Sequence, residues 1–262
     1  MINPSISSSD LALDISRCSQ IPVAPRTIRN ILHHSGLRWY TSMNKPFLTK
    51  KMKLKRLDWC KKYATKPLDF WEKVLFSDET MVSINLNSVQ NKIRRFPWQS
   101  SLNPRLIRNT VKHPLTQMFR GCFSSKGVGS LQPIDGIMNG EKYTEVLSSN
   151  LASNMAKLQA DVFQDDSAPC HRSRVVKSWI QENEYTVLDW PGNSQDLNPI
   201  ENVWAILKRK LKMTTISNRK ALILVAKTKW SEISPDLLRN LSKSMPKRIE
   251  MVIKAKGGAT KY

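Results

Sequence analysis

A change of pattern near residue 67 constrains this chain more than any other feature. Beyond it, short apolar runs alternate with helix-length amphipathic segments. "WEKVLFSDETMVSIN" carries Val74, Leu75 and Phe76 as a buried-type strand, which continues past Ser77 and Asp78 into a turn or second strand. "MFRGCFSSKGVGSLQPIDGIMN" offers two strands about a glycine-bearing turn, and "GEKYTEVLSSNLASNMAKL" a helix. "ADVFQDD" reads as a short strand, "SRVVKSWIQEN" as a helix and "YTVLDWP" as a strand. In "NPIENVWAILKRKLK" Asn198 serves as cap, Pro199 takes the first position, and Ile200, Val203, Trp204 and Leu207 form the apolar stripe. Such alternation needs a sheet covered by helices, so an α/β domain is expected over residues 67–262.

The first 45 residues read as two short helices. Ser9 offers a cap to "DLALDISRC", whose Leu11, Ala12, Leu13 and Ile15 suit either helix or strand. The next segment, "APRTIRNILHHSGL", is a clearer helix: Pro25 fits its first turn, Ile28, Ile31 and Leu32 share a face, and Gly36 ends it. Arg26, Thr27, Arg29 and Asn30 occupy the opposite face, where Arg and Asn suit bidentate contacts to guanine and adenine. A helical hairpin with a solvated basic face is the competing reading. Between the two regions, Lys50, Lys51, Lys53, Lys55 and Arg56 make a dense basic run. This run reads as a helical linker lying on phosphates, a nuclear localisation signal, or a solvated face.

The chain holds 42 Lys and Arg against 21 Asp and Glu, a formal net charge of +21. That balance favours a polyanionic partner, nucleic acid first, over a merely solvated basic surface. The longest apolar run, Ala221 to Ala226, has six residues, whereas a spanning helix needs about 20, and no membrane partner is expected. "MINPSISSSD" lacks the basic start and apolar stretch of a secretory signal, so an intracellular location is expected. Cys18, Cys60, Cys122 and Cys170 form no CxxC pair and read as reduced thiols.

Against this basic background three acids stand at element ends: Asp78 in or after the first strand, Asp166 after a later strand, and Glu201 in a helix first turn. Ligands of open sheets gather at strand ends. Phosphodiester chemistry with a pair of Mg²⁺ ions needs a few carboxylates converging from separate elements. Each acid also has a bland reading: Glu201 closes a capping box with Asn198, Asp78 belongs to a turn, and Asp165 with Asp166 caps the following helix.

The blocks "VLFSDET", "VFQDDSAPCHRSRVVKSWI" and "LDWPGNSQDLNPIENVWAILKRKL" resemble the three catalytic blocks of the Tc/mariner superfamily of cut-and-paste DNA transposases, and "SMPKRIEMVIKAKGGATKY" resembles the C-terminus of its Tc and Minos branches. The interval from Asp166 to Glu201 is 201 − 166 = 35, leaving 34 residues between them, the spacing that marks the Tc branch. The resemblance implies a ribonuclease-H-like catalytic domain, a mixed sheet flanked by helices, over 67–262. A basic linker over 46–66 and a partial paired-like helix-turn-helix remnant over 1–45 would precede it. Asp78, Asp166 and Glu201 would be both catalytic and metal-binding, holding two Mg²⁺ ions for which Mn²⁺ can substitute. Aligned on the family's block, the catalytic acid is Asp166 and not Asp165. His171 matches a histidine usual there, either near the site or structural. The implied partners are double-stranded DNA, as terminal inverted repeats and as target, and a second copy of the chain on that DNA; the implied location is the nucleus.

Departures from the family pattern leave an alternative, a transposase-derived DNA-binding protein no longer active in transposition. Only the second helix-turn-helix is recognisable, so a shortened N-terminus is expected. Gln195 stands where a proline is usual, and Arg120 lies in a strand expected to be buried, where an unpaired charge would cost several kcal/mol.

Overall fold

The computed structural model describes residues 5–38, 45–84, 115–214 and 216–262. The chain divides into two compact units, Met1–Lys45 and Pro46–Tyr262. In the first, α1 (Ser8–Ser19) and α2 (Pro25–His34) pack on each other. Ser7, not Ser9, caps α1, its side chain accepting from Asp10 N at 3.1 Å. The ambiguous apolar stretch is helical, with Ala12 buried and Leu13 exposed. At the end of α2, Leu37 N donates to Leu32 O at 2.9 Å and Gly36 N to His33 O at 3.1 Å. Gly36 stands at φ +78°, the left-handed turn that this ending requires.

The second unit is built on a four-stranded sheet in the order β3-β2-β1-β4. It comprises β1 (Val74–Ile84), β2 (Leu115–Ser124), β3 (Gly127–Ile134) and β4 (Val162–Gln164). β1 is antiparallel to β2 and parallel to β4. "MVSI" continues β1 as one long strand and makes no second one. "YTVLDWP" contributes a single parallel bridge, Val187 to Phe163, because the β4 it pairs with is itself only three residues long.

Strand alternation sorts β1 onto two faces. Phe76, Asp78, Thr80 and Val82 share one face; Leu75, Ser77 and Glu79 share the other. The first face meets a core built with α3 (Lys50–Tyr63), α4 (Leu68–Glu72), α7 (Ile200–Lys212), α8 (Arg219–Ser231), α9 (Pro235–Lys243) and α10 (Met245–Lys254). The second face packs on α5 (Gly140–Lys157) and α6 (Arg174–Glu182) through Tyr143, Leu147, Leu151 and Val176. Opposite Asp78 on β2 is Gly121. A Cβ there would lie 2.6 Å from the Trp204 ring, so the glycine admits the stacked pair Trp204 and Trp230 against the sheet. Burial pushes the Cys60 thiol up to about 12 and the Cys122 thiol to about 11, which keeps both protonated and unreactive. No helix among the described residues is long and apolar enough to cross a membrane.

The basic run of 50–56 lies within α3, whose Trp59, Cys60 and Tyr63 belong to the core of this unit. Arg56 is fully buried. Its guanidinium donates to both carboxylate oxygens of Asp196 at 2.8 Å, to Ser194 Oγ at 2.8 Å and to Gly257 O at 3.0 Å. Asp196 also accepts from Thr260 N at 2.9 Å, and its carbonyl accepts from Arg248 at 2.8 Å. Desolvation alone would raise the Asp196 carboxyl, but the Arg56 pair outweighs it and holds the group below the usual carboxylate range. A depressed carboxyl contributes stability above its unfolded value, near 3.9, and that stability is lost as pH falls through the folded value. Replacing Arg56 by Met strands a buried carboxylate, so a loss of about 3–5 kcal/mol is expected by thermal or denaturant unfolding at pH 7. The deficit relative to wild type should shrink below about pH 4; a deficit independent of pH would contradict the pairing.

Candidate active site

Parallel pairing of Phe76 with Gln164 sets the register of β1 and β4. Asp78 lies two residues beyond Phe76, and Asp166 two beyond Gln164, so the two acids stand at matching heights. Glu201 enters from the first turn of α7. Together with Glu79, Gln195 and Asn198, all three carboxylates line one cleft of about 440 Å³. Glu201 does not close a capping box: the Asn198 amide donates instead to Ser194 O at 3.2 Å and Gln195 O at 3.1 Å. The helix begins at Ile200 with Pro199 as cap, one residue later than the sequence reading, and Ile200 N donates to Asn198 Oδ1 at 3.4 Å. Asp78 is within β1 and not in a turn.

The paired aspartates part company. Asp166 faces the cleft, half exposed, while Asp165 is buried and accepts from the Tyr143 hydroxyl at 3.3 Å. Burial pushes Asp165 up to about 6. His171 Nδ1 is 2.8 Å from Asp166 Oδ1, and its Nε2 is 3.4 Å from Glu79 Oε2. Its ring stacks on Tyr143 with centroids 3.9 Å apart. Burial opposes charge on this imidazole, but pairing with Asp166 and Glu79 prevails and pushes it up to about 11. The same histidine draws Asp166 below its ordinary value against the effect of burial.

Arg120 is buried as expected and is paired. Its Nε lies 3.2 Å from Glu79 Oε1, and its guanidinium sits over the Tyr143 ring at 5.3 Å. Glu79, Asp166 and His171 are thus close enough together to ligate a metal. Glu79, however, is already flanked by two cationic side chains and Asp166 by His171, whereas Asp78 and Glu201 form no ion pair among the described residues. Burial raises Asp78 to about 8, with repulsion from Glu79, Glu201 and Asp166 adding to it. Burial likewise raises Glu201, and Asp166 adds to the shift against the pull of Lys208. Oxygen donors that repel one another in this way fit a hard divalent cation, which relieves the repulsion.

Residues 73–223 match the family described as DDE superfamily endonuclease, and residues 2–65 match a Tc3-type helix-turn-helix family described as Transposase. The Tc1 transposase of Caenorhabditis elegans is 33% identical over 99% of this chain and 96% of that protein. The Tc3 transposase of the same organism is 30% identical over 100% of this chain and 79% of that protein. The chain belongs to the Tc1/mariner family of DDE transposases. Its fold is also that of the Mos1 transposase in a strand transfer complex, with a TM-score of 0.82 at 16% identity over 99% of this chain and 76% of that one. The transposase therefore has a ribonuclease-H-like domain after a helix-turn-helix, and it is a DNA-cleaving enzyme of the cut-and-paste class.

Of the DNA-facing residues read from sequence, Arg26, Thr27, Arg29 and Asn30 are exposed on α2, and Lys50, Lys51, Lys53 and Lys55 are exposed on α3. Arg56 is the exception: its donors are spent inside the protein, so it is not available to a phosphate. The sequence singled out Arg120 and His171, but their partners Glu79 and Tyr143 escaped it. Alternation places Glu79 away from Asp78, but its cationic partners come from other elements.

Because Asp78 is held uncharged only at a cost, its replacement by Asn removes a strained group. In EDTA at pH 8 or above, Asp78→Asn should melt at or above the wild-type temperature. The raised value makes the wild-type penalty grow as pH climbs from the ordinary carboxylate range towards about 8. Clear destabilisation of this variant would show that Asp78 serves the fold.

Proposed function

We propose that this transposase hydrolyses phosphodiester bonds at the ends of its element and joins the freed ends to target DNA, using Asp78, Asp166 and Glu201 as ligands of two Mg²⁺ ions, with Mn²⁺ able to substitute. The observation that carries this is the convergence of three mutually repelling carboxylates from β1, the end of β4 and α7 on one cleft. Mos1 paired-end complexes of the same fold are described with Mg and with Mn. When bound, such ions activate the attacking oxygen and stabilise the leaving one. The chain's own groups prepare for that: His171 orients Asp166, Arg120 and His171 balance the charge of Glu79 at the cleft's edge, and the Trp204 packing fixes α7 so that Glu201 enters the cleft.

The exposed face of α2 is proposed to read terminal-repeat DNA in the major groove through Arg26, Arg29 and Asn30, with Thr27 beside them. Handling two element ends with one cleft per chain supports a homodimer on DNA. A chromosomal target for strand transfer would support a location in the nucleus.

Supercoiled plasmid incubated with Mg²⁺ or Mn²⁺ tests the catalytic assignment. Wild type should nick it, while Asp78→Ala, Asp166→Ala and Glu201→Ala should each lose activity at least about a hundredfold, as removal of a principal catalytic group does. Asp165→Asn, which keeps an acceptor for Tyr143, should retain most of the activity; an inactive Asp165→Asn beside an active Asp166→Ala would reverse the assignment. For α2, Arg26→Ala and Arg29→Ala should each reduce discrimination between terminal-repeat and shuffled duplex by about 1–3 kcal/mol. Equal losses on both DNAs would assign these arginines to phosphate contact alone.

A further inference from the structure

Beside the catalytic cleft lies a second one, of about 680 Å³, walled by α3 on one side and by the segments after β4 and after Val187 on the other. The two clefts are continuous, sharing Ser167, Trp190, Pro191, Gly192 and Asn193. Lys51, Lys55 and Lys62 line it from α3, and Arg172 lines it from the opposite wall. We propose that this cleft holds the backbone of the DNA duplex next to the scissile phosphodiester, with these four side chains on phosphates of one strand. The inference rests on the reading of the preceding subsection and adds the route by which DNA enters the site.

The spacing of the lysines is the first support. Positions 51, 55 and 62 differ by four and then seven residues, which keeps them on one stripe of a 3.6-residue helix. At 1.5 Å per residue they stand about 6 Å and about 10.5 Å apart along the axis. A strand of duplex advances about 3.4 Å per phosphate, so the stripe matches phosphates roughly two and three steps apart. None of the three forms an ion pair among the described residues, unlike Lys73, Lys229 and Lys254 on other helices. Lys62 Nζ lies 5.4 Å from the Tyr63 ring centroid, a contact that brings no counter-charge, so all three ammonium groups lack an anionic partner among the described residues.

Rigidity is the second. Behind the lysine stripe, α3 is locked by the buried Arg56 pair and by Trp59, whose ring meets Trp190 edge-on at 5.0 Å. Arg172 is anchored in turn, donating to Ser167 Oγ and to Trp190 O. Ser167 directly follows Asp166, so the phosphate-facing cations are fixed relative to a catalytic carboxylate. Such fixed placement is what holds a scissile bond in line for attack. Asp58 and Asp189 also line the cleft, giving 4 − 2 = +2 from its charged side chains. Those acids repel phosphate and confine the strand to the lysine and Arg172 positions.

The test uses the full chain and a duplex of about 30 base pairs, long enough to cover the stripe several times over at about 3.4 Å per pair. The triple variant Lys51→Ala, Lys55→Ala, Lys62→Ala is compared with Lys212→Ala, Lys220→Ala, Lys227→Ala, three exposed lysines outside both clefts. Binding is measured against salt, and plasmid nicking in Mg²⁺ is measured in parallel. Loss of three phosphate contacts should flatten the slope of log affinity against log salt by about 2.7. Nicking by that variant should fall at least tenfold at moderate salt and recover as salt is lowered. The control triple should change the slope by less than about 1. Equal flattening by both triples, or none by the cleft triple, overturns the proposal. So does a cleft triple that loses affinity for RNA or an acidic peptide but not for duplex. A wild type that binds with the expected slope difference but never nicks leaves the DNA route standing and counts instead against the catalytic reading.

Discussion

The bidentate pair between Arg56 and Asp196 ties together parts of the chain that share no secondary structure. Arg56 belongs to α3, Asp196 to the loop before α7, and the same cluster takes in Gly257 O and Thr260 N near the C-terminus. Arg248 of α10 holds the Asp196 carbonyl and, through Asn202, the first turn of α7. Two buried guanidinium groups are tolerable only because almost every donor has an acceptor. Their effect is to fix the loop of residues 193–198, and with it the entry of Glu201 into the catalytic cleft. Gly257 approaches the carbonyl of Lys53 so closely that a Cβ would lie 2.0 Å from it, at a φ of +80°, so this junction needs glycine on both counts.

A second organising principle is the two-residue period of the strand. It separates acids that adjoin in sequence: Asp78 and Glu79 lie on opposite faces of β1, and Glu79, though it also reaches the cleft, pairs with Arg120 and His171. Asp166 and Asp165 part in the same directions just beyond β4. On the inner side the charges are met by Arg120 and His171 and by the Tyr143 hydroxyl. On the cleft side burial raises Asp78 and Glu201, and their neighbouring carboxylates add to the shift. His171 spans the two sides, one nitrogen against Glu79 and the other against Asp166. A basic residue in the middle of β2 is therefore part of the site's electrostatics and not a flaw in the sheet.

Function follows from adjacency. The cleft with the carboxylates and the cleft with the lysines share a wall that includes Trp190, whose ring packs on Trp59 and, through it, on Trp71. The segment that reads as a basic linker is thus a wall of the catalytic unit.

The sequence alone determined the α/β class and most of the elements, and it singled out three carboxylates that the fold brings to one cleft. Short apolar runs, a Pro-led helix and an interval of 34 residues are local features, and local features survive without tertiary context. The turn reading of Asp78 and the capping-box reading of Glu201 were equally local, and only the assembled sheet removed them, by placing Asp78 inside β1 and satisfying the Asn198 amide elsewhere. Asp166 does cap the following turn, accepting from Ala168 N at 3.0 Å, while Ser173 caps α6. Arg56 shows the limit most plainly. Within "KKMKLKR" it is one more cation in a basic run, and nothing nearby distinguishes it from Lys55. Its partners lie 140 and 201 residues away, so burial and pairing, which the fold alone decides, make one residue a structural anchor and leave its neighbour on the surface.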